Sequence, residues 1–174
     1  MRKRNLVSVV VGSDSDLPIL EETFKILKSF DIPYEITISS AHRSPDKTIR
    51  YAQKASKRGV EVIIAAAGGA AHLAGVVAAY TLLPVIGIPI DSSHLNGLDS
   101  LLSTVQMPGG IPVATMAIGK AGAKNAGILA AQILSLKYPE IRKTIENYRK
   151  DLTKEVENKD KIIKKSKIKL KDDR

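Results

Sequence analysis

Cysteine and tryptophan are absent from the 174-residue chain, and aromatic residues make up only 4% of it. Without a thiol there is no disulfide framework, no thiolate nucleophile and no cysteine-ligated zinc or iron–sulfur centre. Few aromatic rings, together with the lack of any finger or RNP-type motif, leave little surface on which unpaired bases could stack. No Walker loop with its lysine occurs, which argues against nucleoside-triphosphate hydrolysis. The three histidines, His42, His72 and His94, do not recur at a helical metal-ligand spacing, so no metal is expected.

Charge is present but unevenly placed. Of the formal +9, Arg2, Lys3 and Arg4 supply +3, and residues 150–174 hold 10 Lys+Arg against 6 Asp+Glu. An excess confined to the two ends reads as solvated basic tails rather than a nucleic-acid surface. The opposite extreme is the stretch from Val62 to Ile90, which contains no Asp, Glu, Lys or Arg. It is long enough to cross a bilayer, but Gly68, Gly69, His72, Pro84 and Pro89 interrupt it and much of its apolarity is alanine. It therefore reads as strand, helix and strand in a soluble core, with no membrane partner. After Arg2, Lys3 and Arg4, the apolar run from Asn5 to Val11 is too short for a signal-peptide core, and a cytoplasmic location is expected.

Periodicity places strands at about 5–11, 34–38, 62–67, 85–90 and 113–118, alternating with helices at about 17–27, 45–58, 71–81, 98–105 and 123–136. Ser44-Pro45-Asp46 marks a capped helix start and Gly59 its end. Because parallel neighbours need crossover connections, five such strands imply a three-layer α/β/α sandwich around a parallel sheet. A polar helix from about Glu140 to Val156 follows, and the chain from Lys159 is expected to fray. This gives one α/β domain over 1–158 and a lysine-rich tail over 159–174.

In an open parallel sheet, ligands bind where loops leave the carboxyl ends of the strands. Gly12-Ser13-Asp14-Ser15-Asp16 suits a phosphate or sugar hydroxyl, or is simply a capped turn. Ser40, His42 and Arg43 combine a hydroxyl, an imidazole able to move protons near neutral pH and a guanidinium able to grip phosphate twice. Gly68 and Gly69 either expose backbone amides or satisfy a turn with positive φ. His72, on the first turn of an apolar helix, is either a site residue or a satisfied core histidine. The bend-rich segment Ser103–Pro112 is expected to form a flap or rim.

Taken together, Gly12-Ser13-Asp14-Ser15-Asp16, Ser40-Ala41-His42-Arg43-Ser44-Pro45, Gly68-Gly69-Ala70-Ala71-His72-Leu73, Val105-Gln106-Met107-Pro108-Gly109-Gly110-Ile111-Pro112-Val113 and Ala117-Ile118-Gly119-Lys120-Ala121-Gly122 resemble the N5-carboxyaminoimidazole ribonucleotide mutase family of purine biosynthesis. The likeness spans residues 5–136, with Ala74 standing where the family usually has proline. It implies a flavodoxin-like subunit, a homo-octamer, no cofactor or metal, a small ribonucleotide substrate and a functional link to the ATP-dependent carboxyaminoimidazole ribonucleotide synthase. His42 would be the catalytic proton shuttle. Ser13 and Arg43 would sit near the substrate phosphate and Asp16 on the ribose, with Ser40, Gly68, Ala70, His72 and Leu73 lining the base and carboxylate pocket. Two other readings stand beside it: carboxylation of aminoimidazole ribonucleotide by free carbon dioxide on the same fold, and a noncatalytic sugar-phosphate or nucleotide sensor.

Overall fold

The computed structural model describes residues 4–92 and 94–165; the expected basic residues Arg2 and Lys3, and residues 166–174 of the tail expected over 159–174, lie outside the described residues. Five strands, β1 (Val7–Val11), β2 (Tyr34–Ile38), β3 (Val62–Gly68), β4 (Val85–Ile90) and β5 (Ala114–Thr115), form one parallel sheet in the order β2-β1-β3-β4-β5. This is the flavodoxin-like winding, in which the chain passes to opposite faces on either side of the β1–β3 pair.

The central strands are continuous β-branched or small apolar runs because both faces are covered. On one face Val7, Val9, Val11, Ile64, Ile86 and Ile88 pack under α1 (Leu17–Ser29) and α5 (Gly119–Ser135). On the other, Val10, Ile63 and Ala65 pack under α2 (Pro45–Arg58) and α3 (Leu73–Ala79). Gly127 lets α1 and α5 approach closely, since a Cβ there would meet Ile26 at 3.0 Å, and the buried Thr23 hydroxyl donates to the Ala123 carbonyl at 2.7 Å. The last helix, α6 (Pro139–Lys165), adds Ile141 and Ile145 to the same core.

Several element ends differ from the periodicity: β1 begins at Val7 instead of Asn5, α1 runs to Ser29 and α3 covers only Leu73–Ala79, and three larger departures have physical causes. β5 is two residues long instead of running from 113 to 118. The Met116 amide donates to the Gly87 carbonyl, so alternate residues of β4 turn their backbone groups toward β5; the next residue of that parity is Pro89, which has no N–H to offer, and the ladder stops. α5 starts at Gly119, four residues early, because Gly122 has no Cβ to strike the Ala117 carbonyl oxygen 1.6 Å away from where one would stand. α6 continues to Lys165, well past Val156, although every residue from Asp151 to Lys164 is exposed. Ion pairs one turn apart, Lys159 with Glu155 at 2.5 Å and Lys164 with Asp160 at 2.7 Å, together with good helix formers, favour the helix without tertiary packing.

A helix between Leu98 and Val105, here α4, forms where expected but with inverted polarity. Its buried residues are Ser100 and Thr104, whose hydroxyls donate to the Ile90 and Ser100 carbonyls, whereas Leu98, Leu102 and Val105 are exposed.

The edge strand β2 is tied to α2 by a polar network. The Tyr51 hydroxyl donates to Glu35 at 2.5 Å and lies 2.7 Å from the Ser8 hydroxyl, while Arg58 donates to the same carboxylate at 2.8 Å. Burial, reinforced by the Glu35 hydrogen bond, pushes the Tyr51 phenol up to about 12. Its contribution to stability is therefore complete below about pH 10, where the unfolded phenol is still protonated, and is lost as pH rises through about 12. Tyr51→Phe is expected to cost about 1–2 kcal/mol at pH 8 and to flatten the alkaline loss of stability between about pH 10 and 12, read by urea denaturation of both proteins across that range.

Candidate active site

The loops leaving β1, β2, β3 and β4 converge on one cleft of about 330 Å³. Ser13, Asp16, Ser40, His42, Arg43, Gly68, Ala70 and Leu73 all line it, with Gly12, Ser15, Ala41, Ala67 and Ser92. It opens at the β1–β3 switch point, where crossovers to opposite faces leave the strand ends uncovered.

After β1, Ser13 caps a short 3₁₀ turn, Asp14–Asp16, its side chain accepting from the Ser15 amide. That turn brings Asp16 inward to 5% exposure. Burial pushes its carboxyl above the ordinary range, partly offset by hydrogen bonds from Ser15 and Ser13, with the neighbouring Asp14 charge adding to the rise.

After β2, a tight turn is braced by Ser40 and Ser44: the Arg43 amide donates to Ser40 Oγ at 3.2 Å and the Ser44 amide to the Ser40 carbonyl at 3.0 Å. The turn presents His42 to the cleft and sends the Arg43 guanidinium across to the Gly12 carbonyl at 3.4 Å. A shallow hollow beside the cleft brings Lys47 and Asp14 to Ser13 and Arg43; the Ser13 hydroxyl donates to Asp14 at 3.1 Å and Lys47 donates to the Ile38 carbonyl at 2.7 Å.

After β3, the two glycines divide the alternatives left by the sequence. Gly69 adopts φ +58 with open space around it, so it serves the turn. Gly68 needs no such φ; a Cβ there would stand 1.8 Å from Ser92 Oγ, so it serves close approach. His72 is the N-cap of α3 rather than part of the helix, since a turn bond from its amide to the Ala70 carbonyl delays the helix start to Leu73. Its ring does not line the cleft; its Nδ1 lies 2.9 Å from His42 Nε2, with the two rings nearly perpendicular.

Ser92, on the loop after β4, escaped the sequence reading, which found no motif there; its place just beyond a strand's carboxyl end was the available signal. The segment Ser103–Pro112, expected as a flap or rim, does not line this cleft. It precedes β5 and so lies toward the amino ends of the strands, with Met107 against Gly75, and Gly110, Ile111 and Pro112 facing a separate hollow shared with Leu82 and Pro84. Among the described residues no three His, Asp or Glu side chains cluster as metal ligands would, and no helix is long and apolar enough to cross a membrane.

A doubly wound parallel sheet with a polar cleft at its switch point, lined by an imidazole and a guanidinium, defines an α/β protein with a small-ligand cleft. Residues 6–155 match the family model described as AIR carboxylase, and the chain belongs to that family. It is 58% identical over 161 residues to the N5-carboxyaminoimidazole ribonucleotide mutase of Pyrococcus horikoshii, covering 92% of this chain and 90% of that one. It is 60% identical over 150 residues to the enzyme of that name from Thermotoga maritima, covering 86% of each. The crystal structure of Treponema denticola PurE superposes with a TM-score of 0.83 at 31% identity, covering 92% of this chain and 99% of the other.

Gly68→Ala is expected to leave the fold intact and weaken substrate binding about tenfold, because the new methyl must displace Ser92 into the cleft. The double variant Gly68→Ala/Ser92→Gly should recover most of the loss in a ligand titration.

Proposed function

We infer that this chain is an isomerase of purine biosynthesis that converts N5-carboxyaminoimidazole ribonucleotide to 4-carboxy-5-aminoimidazole ribonucleotide. The observation that carries this is 52–60% identity to mutases across most of the chain. Carboxylation of aminoimidazole ribonucleotide by free carbon dioxide is the second reading; the family model's description names a carboxylase. The likeness to proteins named as mutases over 86–92% of the chain favours the first. A noncatalytic sensor would need the cleft's polar loops but no imidazole aimed into it.

In our reading His42 shuttles one proton in each direction. It delivers a proton to the exocyclic nitrogen as the N–C bond to the carboxyl group breaks, the bonding pair staying on nitrogen and carbon dioxide leaving. Ring carbon C4 then attacks the carbon dioxide with its π pair, and the now neutral His42 removes the C4 proton to restore aromaticity. Atoms and charge balance with no other reactant. The walls of Ala67, Gly68, Ala70 and Leu73 offer carbon dioxide little solvation, so it stays beside C4 and proximity replaces a second encounter. Arg43 and Ser13, with Lys47 nearby, take the phosphate, and the inward Asp16 takes ribose hydroxyls.

The same reading includes a cytoplasmic homo-octamer supplied by an ATP-dependent synthase of the carboxyamino substrate. What supports self-association is the surface: residues 62–119 contain only Asp91 and Asp99 as charged side chains, and α4 turns Leu98, Leu102 and Val105 outward. A copy of the same chain covers such a face without meeting the positive charge carried elsewhere. Residues 159–164 are exposed, and in this reading the chain beyond Asn158 adds mainly surface charge.

Purified enzyme should turn over the carboxyamino substrate with no added bicarbonate, and an absolute bicarbonate requirement would favour the carboxylase. His42→Asn should lower turnover about 10²- to 10⁴-fold while binding stays within a few-fold; near-normal turnover removes His42 from the mechanism. In sedimentation, the full chain and a chain ending at Asn158 should both run as octamers of equal activity. A monomeric full chain would refute the assembly, and a dissociated truncation would make the end of α6 structural.

A further inference from the structure

His42 is the imidazole in the cleft, but it does not stand alone: its Nε2 lies 2.9 Å from Nδ1 of His72, thirty residues away on another loop. We propose that His72 is a positioning residue that fixes which nitrogen of His42 stays protonated and which one, Nδ1, exchanges protons with the substrate. The proposal rests on the reading of His42 as the proton shuttle.

Two imidazoles can share a hydrogen bond only if one donates and the other accepts, so their tautomers are not independent. Two arrangements exist. If His72 donated from Nδ1, His42 would accept at Nε2; every time His42 took up a proton and became an imidazolium, both facing nitrogens would carry hydrogen and the bond would break. If instead His72 accepts at Nδ1 and carries its own proton on Nε2, His42 donates from Nε2 in both its neutral and its charged form. The bond then persists through the cycle and strengthens when His42 is cationic, because it becomes charge-assisted. The second arrangement alone leaves His42 Nδ1 alternately bare and protonated, as a group that gives and then receives a proton must be. The logic is that of a base oriented by a third group in a nucleophilic triad, with a neutral imidazole in place of a carboxylate.

The backbone supports this role. His72 is held at the N-cap of α3 by its amide bond to the Ala70 carbonyl at 2.8 Å and by its own carbonyl accepting from the Val76 amide at 2.9 Å. His42 sits on the turn braced by Ser40 and Ser44. Both anchors are short and rigid, and the near-perpendicular rings, 79° apart, let a nitrogen of one point at a nitrogen of the other. The two rings therefore meet because β1 separates β2 and β3 by one strand, not through any local sequence relation.

The test combines kinetics with a direct reading of the tautomers. His72→Phe keeps an aromatic ring but removes the acceptor; kcat should fall about 10- to 100-fold, the effect of one charge-assisted hydrogen bond, with KM within about threefold. His72→Asn, whose amide oxygen can accept near the place of Nδ1, should recover most of that loss. In a His42→Asn background, His72→Phe should cause no further fall. Long-range ¹⁵N NMR of the histidine rings in the unmutated enzyme should find His72 protonated on Nε2 and His42 carrying hydrogen on Nε2. A His72 proton on Nδ1, a loss confined to KM, or equal losses in both backgrounds would overturn the proposal. Near-normal turnover of His42→Asn alone would instead overturn the shuttle on which it rests.

Discussion

The parallel register of β1 against β3, Val11 opposite Ala66, is the constraint on which the cleft depends. It brings the two strands to their carboxyl ends at the same level, and because the chain leaves them toward opposite faces, no crossover roofs the gap between them. Gly12 and Ala67 can then face each other across that gap, a Cβ on Gly12 lying 3.5 Å from the Ala67 methyl. Larger residues at these positions would close it. The buried strands that make this register, apolar but for Ser8, with the α1–α5 layer locked on one face through Thr23 and Gly127, are the rigid support that loop-borne chemistry requires.

On that support the cleft has two contrasting ends. Around Ser13, Arg43 and Lys47, with Asp14 and Asp16 beside them, it is polar and charged; around Ala67, Gly68, Ala70 and Leu73 it is small and apolar. A ribonucleotide has the same polarity along its length, from phosphate to base. His42 lies among the lining residues, with His72 paired to it at 2.9 Å outside the cleft. The proposed shuttle of one proton between small apolar walls suits a carboxyl migration better than a hydrolysis, which would need an activated water in the same place.

Most of the fold was legible from punctuation. β2, β4, α2 and α4 begin and end where the periodicity placed them, since Pro45, Gly59, Pro84 and Gly97 mark their ends. The errors came from interactions that a linear pattern does not carry. Pro89 ends the β4–β5 ladder only because its missing N–H happens to face β5, and α6 persists beyond the body through ion pairs between successive turns. The family resemblance and the strand-end rule named nearly all the residues that line the cleft. Ser92 was not found, since nothing marks a lone serine until Gly68 is seen to make room for it. Nor could spacing disclose that His72 reaches the cleft through His42, or that Ser103–Pro112 lies toward the other edge of the sheet, because both follow from the order of strands rather than the order of residues.

The central claim of the proposed function is that the carboxyl group migrates within one site without exchanging with solution. It is tested most directly by converting substrate labelled with ¹³C in its carboxyl group while unlabelled bicarbonate and carbonic anhydrase are present. The account predicts that nearly all the label appears in the C4 carboxyl group of the product. Product carrying mainly unlabelled carbon would contradict it, because the carbon dioxide would then be drawn from solution.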